Sequence, residues 1–148
     1  MYLVWVYFHI VGSLLFVAAH GVSAAVAVAI RRERCPTRLA ALLALSTWAR
    51  PISYSGLAML LVSGVAAGWL GDWWSHGWIW ASLLLLLALA LGALPLVPYF
   101  HRLRRVLRSD GSPSQIEQAL DSSLPLVVAA YESVGVAAIL WLMVFKPF

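Results

Sequence analysis

Residues 2–30, YLVWVYFHIVGSLLFVAAHGVSAAVAVAI, contain no Asp, Glu, Lys or Arg, and the run ends at Arg31-Arg32-Glu33-Arg34. About 20 apolar residues cross a bilayer as a helix, so this stretch reads as a transmembrane helix with length to spare. It has no basic segment in front of it and is far longer than the apolar core of a cleavable leader, so we expect it to stay in the protein. Two histidines lie inside it, His9 and His20. They are close to three helical turns apart, which sets them on one face together with Ser13, Phe16, Ser23 and Ala27. The other faces carry Val, Leu and Ile. Lipid does not favour a stripe of polar and small residues, so this face is expected to meet protein or a bound group.

The rest of the chain has the same character. Of its 148 residues 63% are hydrophobic and 11% charged, and the mean hydropathy is +0.89. A soluble globular domain does not carry that balance. The net charge is +4, and every arginine falls within residues 31–50 or 102–108. This is the positive-inside distribution of a membrane protein rather than a nucleic-acid patch, so no nucleic-acid partner is expected. It places both basic segments in the cytoplasm and both termini outside it, in a bacterial cytoplasmic (inner) membrane. The single cysteine, Cys35, cannot form a disulfide within the chain.

Four spans are expected, at about 2–30, 52–70, 78–100 and 124–145. Thr37 caps a segment read as a short helix at the cytoplasmic interface, which Pro51 breaks or kinks. Gly64 and Gly68 form a G-x-x-x-G that admits close approach of another helix, within the chain or across a homodimer. The turn from Gly71 to Gly77 is flanked by tryptophans, including Trp69, Trp78 and Trp80, which read as an interfacial belt. Pro95 and Pro98 bend the inner end of the third span. His101–Arg108 then makes a basic extension suited to anionic headgroups. Ser112-Pro113-Ser114-Gln115 is a capping-box sequence opening a short polar helix to about Ser122. The expected fold is all-α: a transmembrane four-helix up-down-up-down bundle with short cytoplasmic interfacial helices, forming one integral membrane domain over residues 1–148.

The candidate site residues follow from depth. His9 lies about 10 Å from the start of its helix and His20 about 16 Å deeper, too far apart to share one ion. Each is a candidate ligand to a metal or to haem iron, with Ser13 and Ser23 near the right turns to orient them. His76, in the outer turn, is the candidate second ligand at the level of His9, and His101 sits at the inner interface. Glu132 is the only carboxylate inside a span. A carboxylate in hydrocarbon must be protonated, paired or hydrated. Its depth matches that of His20, so a His20–Glu132 hydrogen bond is expected, either as a structural clamp or as a proton relay. Tyr131 and Ser133 lie beside it, and Tyr54 and Ser55 near enough to join. No nucleophile constellation or phosphate loop is present.

The stretches His9-Ile10-Val11-Gly12 and His20-Gly21-Val22-Ser23, the RRER that follows, Gly77-Trp78-Ile79-Trp80 and the ending Leu142-Met143-Val144-Phe145-Lys146-Pro147-Phe148 resemble a family of small bacterial integral membrane proteins. More distantly, the chain resembles the membrane domain of CopD-like copper-resistance proteins and the HemJ-like protoporphyrinogen oxidases. The HemJ-like resemblance implies haem b, with His9 matching the histidine associated with it. The CopD-like resemblance implies copper. The expected function is therefore a haem-b-binding membrane protein in electron transfer or sensing, with quinone or another membrane redox partner. The alternatives are a copper- or small-solute-handling protein and a non-catalytic accessory subunit of a membrane complex.

Overall fold

The computed structural model describes residues 1–109 and 113–148. Its regular elements are all helical: α1 (Tyr2–Arg32), α2 (Pro36–Leu70), a 3-10 turn (Trp73–Ser75), α3 (Gly77–Ala93), α4 (Leu96–Arg108), α5 (Pro113–Leu120) and α6 (Leu124–Phe145). Four stretches are long and apolar enough to cross a membrane: α1, α2, α3 with α4, and α5 with α6. The fourth expected span coincides with α6. The capping box at residues 112–115 begins outside the described residues.

Two expected boundaries move. Residues 37–70 do not divide into an interfacial helix and a span, because α2 runs unbroken through Pro51. Proline removes one backbone donor, here the one that would reach the Thr47 carbonyl. Packing on the other side outweighs that loss: α1 itself continues to Arg32, and its Val26 and Ile30 bury Leu39 and Leu43 of α2. The third span, by contrast, is interrupted. Pro95 and Pro98 lack the donors that would carry α3 onward, and the chain turns at Leu94–Pro95 before α4 begins. The turn is closed by Leu94 N–H donating to Leu91 and Val97 N–H to Leu94.

The broad seams are α1 with α2 and α3 with α6, joined by α1 against α6. α2 and α3 are consecutive spans, yet they approach each other less closely than any of these pairs. Glycines set both broad seams. A Cβ on Gly12 would lie 2.6 Å from the Leu60 nitrogen, and one on Gly56 would lie 2.7 Å from the Phe16 nitrogen. Backbone therefore meets backbone there, as small-residue helix seams allow. In the second seam Gly92 receives the ring of Tyr131 and Gly135 the side chain of Leu89.

α2 is 35 residues long, about 52 Å, which exceeds a hydrocarbon core of about 30 Å. Its two tryptophans show where the excess lies. Trp48 and Trp69 are 77% and 76% exposed and stand about 32 Å apart along the axis. That separation matches one bilayer, with tryptophans at both interfaces. The first turns of α2 and the last turns of α1 lie outside that bilayer-length stretch. There they share a cluster of buried side chains with Leu103 of α4 and Ile116, Ala119 and Leu120 of α5. At the opposite end, Lys146 closes α6 in a left-handed conformation with φ 45°. Its ammonium sits 4.1 Å from the Trp73 ring centroid, and the Trp78 N–H donates to the Phe148 carbonyl at 3.3 Å.

Overpacking a tight helix seam typically costs about 1–3 kcal/mol. Gly12→Ala and Gly56→Ala are each expected to lower unfolding stability in detergent by that amount. Gly21→Ala, where an added Cβ meets nothing within 4 Å, should leave it unchanged or slightly raised.

Candidate functional site

The polar stripe of α1 meets protein, but its two histidines face different helices. The Nδ1 of His9 lies 2.9 Å from the Leu60 carbonyl of α2. A carbonyl only accepts, so this contact puts the proton on Nδ1 and leaves the Nε2 lone pair free. The ring fits because Gly64 lacks a side chain: a Cβ there would come within 2.9 Å of His9 Cε1. Gly68 likewise faces the Trp74 ring, 3.3 Å from where its Cβ would stand. Of the two uses expected for the Gly64–Gly68 face, the structure shows the one within the chain.

His20 faces α6. Its Nε2 lies 3.0 Å from Oε2 of Glu132, with the two side chains 19% and 12% exposed. Nε2 is buried and makes no aligned hydrogen bond. The short separation therefore describes a close polar contact whose N–H direction is off the line to the carboxylate. Phe16, one turn earlier on α1, stacks on the imidazole with ring centroids 5.9 Å apart and planes inclined at 28°. The pair thus has an aromatic wall on one side and a carboxylate on the other. It lies at the level of Arg50, since α1 and α2 run antiparallel in the register set by Gly12 and Gly56, and so in the half of the span nearer the basic end.

The neighbours expected to assist take other partners. Ser13 donates to the His9 carbonyl at 2.7 Å and Ser23 to the Ala19 carbonyl at 3.3 Å, each one turn back on its own helix rather than to an imidazole. Ser133 does the same with Ala129, and Ser55 bonds the Ile52 carbonyl. A hydroxyl in an apolar helix finds its nearest acceptor in the preceding turn, which is why these side chains turn back. Tyr131 lies over Gly92 of α3, and Tyr54 is 67% exposed. His76 is exposed and contacts Ser75 and Trp73 beside it, so it does not pair with His9. His101 is exposed on α4.

No group of three His, Cys, Asp or Glu side chains gathers among the described residues. Open clefts form among the described residues. One, of about 590 Å³, is lined by Ala29, Arg32, Glu33, Arg38, Ala41, Leu42 and Leu45. Another, of about 390 Å³, lies between α3 and α6 along Leu85, Ala130, Tyr131, Val134, Gly135 and Ala138. Neither borders His9 or His20. In the α1–α2 connection the N–H groups of Cys35 and Arg34 hold the Glu33 carboxyl below its usual range. The N–H groups of Arg38 and Thr37 lower the Cys35 thiol in the same way.

Residues 2–147 match the model of a family described as predicted integral membrane protein, DUF2269. The chain belongs to this family. Comparison with curated proteins and with solved structures finds no match. The match takes in all four spans of this DUF2269 member, and with them both histidines of α1 and Glu132.

Removing one partner of a buried charged pair strands the other, at a loss of about 3–5 kcal/mol. His20→Leu and Glu132→Leu are each expected to destabilise the protein by that order. The double replacement His20→Leu with Glu132→Leu should recover most of the loss, read as a coupling energy in a detergent unfolding cycle.

Proposed function

We propose that this protein handles protons in the bacterial inner membrane, with the His20–Glu132 pair as its working centre. The observation that carries the reading is a histidine and a carboxylate 3.0 Å apart inside membrane-spanning helices. Ionisable groups on membrane-spanning helices are uncommon and typically mark ion or proton pathways, and this pair sits toward the basic end of its span. One proton serves the pair in two arrangements, on Glu132 Oε2 beside a neutral imidazole or on His20 Nε2 beside a carboxylate. A small rotation of the ring brings N–H into line with the oxygen and lets the proton pass. The basic end, where α1 and α2 emerge, lies on the cytoplasmic side in this reading, and both termini lie outside. Proton flux into proteoliposomes under an imposed potential tests it. Glu132→Gln, which keeps the shape of the side chain, is expected to reduce flux at least about tenfold, at the low end of general acid–base effects. Undiminished flux in a folded Glu132→Gln protein would leave the pair a structural clamp.

A second reading places haem b on His9. It is supported by the Nδ1–Leu60 carbonyl bond, the kind of outer contact that orients ligating histidines, and by the resemblance to HemJ-like proteins. His9 fits as a single axial ligand through Nε2. No second histidine faces it among the described residues, since His20 turns to α6 and His76 stays in the outer turn. Haem, when bound, supplies one-electron chemistry. Copper fits less well, because no trio of donors gathers among the described residues. Absorption spectra of purified protein distinguish the readings: loss of a Soret band in His9→Ala but not in His20→Ala supports haem at His9. A colourless parent protein ends the haem reading and leaves the proton reading standing.

Orientation has its own check. Cys35 is exposed in the α1–α2 connection, and its lowered thiol range favours reaction at neutral pH. An impermeant maleimide is expected to label it in inverted vesicles and to leave it unlabelled in intact cells. The opposite pattern reverses the topology.

A further inference from the structure

Arginines of α2 and α4 converge at the basic boundary. Arg104 of α4 donates to the Thr47 hydroxyl at 2.7 Å and to the Leu43 carbonyl at 3.4 Å, both through Nη2. This pins its guanidinium on α2 while its other donors stay unused. Arg50, one turn further along α2, and Arg108, one turn further along α4, both lie within electrostatic reach of it. Like charges held together destabilise one another unless a counter-ion sits among them. Among the described residues the carboxylates that form ion pairs are Glu132, with His20, and Glu33, with Arg38. None of the three arginines has such a partner.

Location indicates which anion suits these arginines. Trp48 stands two residues from Arg50 and is 77% exposed, which marks this level as a membrane interface. α4 is strongly amphipathic. Its Leu103 is fully buried in the cluster shared with α1, α2 and α5, while Arg102, Arg105 and Arg108 are exposed. The guanidinium groups therefore meet the headgroup layer and not open solvent or hydrocarbon. We propose that Arg50, Arg104 and Arg108 form a binding site for the phosphate of an anionic phospholipid. Planar guanidinium groups suit the bidentate recognition of phosphate oxygens. The site stands independently of the proton and haem readings.

The test compares phosphatidylglycerol with phosphatidylcholine on detergent-purified full chain, by native mass spectrometry and by lipid-dependent thermal shift. The expected result is preferential retention of phosphatidylglycerol. Arg50→Gln and Arg108→Gln, neither of which removes a hydrogen bond within the chain, should each weaken it about fivefold, the usual increment per cation near an anionic surface. Arg34→Gln removes the same charge from the α1–α2 connection and should change binding much less. Equal losses in all three variants would show a diffuse field instead of a site and overturn the proposal. So would equal retention of the two lipids. Displacement of the lipid by millimolar inorganic phosphate would identify a free-anion site and overturn the lipid assignment.

Discussion

The contact on which the other features depend is the backbone approach of α1 and α2 at Gly12 and Gly56. In lipid there is no hydrophobic drive between apolar helices, so association rests on close packing. Two glycines facing each other across the seam supply it. Their register places His9 on the Leu60 carbonyl and over Gly64. The same register carried along the helices sets Val26 and Ile30 against Leu39 and Leu43, the cluster that α4 and α5 then cover. The hairpin is thus both the wall behind the polar stripe and the platform beyond the membrane.

The four spans were legible because hydrocarbon admits little but apolar helix, and that constraint writes itself into composition. The pairing of His20 with Glu132 was legible for a related reason. A helix rises uniformly, so depth can be counted along each span, and an ionisable group in lipid needs a partner at its own depth. The end of the third span was readable from Pro95 and Pro98 as a bend, though not as the break that separates α3 from α4. The continuity of α2 was less legible. Pro51 is a local signal of interruption, while the packing that overrides it comes from α1, and single-chain periodicity does not report on a neighbouring helix.

Glycine was only partly legible. Gly64 and Gly68 draw attention as a motif, yet their role is to admit a histidine and a tryptophan from the same chain. Gly12 and Gly56 stand alone in sequence and make the closest approach. One signal pointed to Gly12: it lies on the α1 face that carries His9, Ser13 and Phe16. The serines misled in a different way. Their spacing set them near the histidines, but a hydroxyl on a helix reaches the carbonyl one turn back before it reaches another side chain, as Ser13 and Ser23 do.

The His20–Glu132 contact joins α1 to α6, which are far apart in chain order. During biosynthesis the α1–α2 hairpin can close as soon as both helices have been made, with His9 satisfied at once by Leu60. His20 has to wait, because its carboxylate arrives only with α6. Until then its imidazole faces lipid, water or the insertion machinery. The pairing therefore closes only when α6 is in place. A chain that lacks α6 leaves that imidazole without its carboxylate.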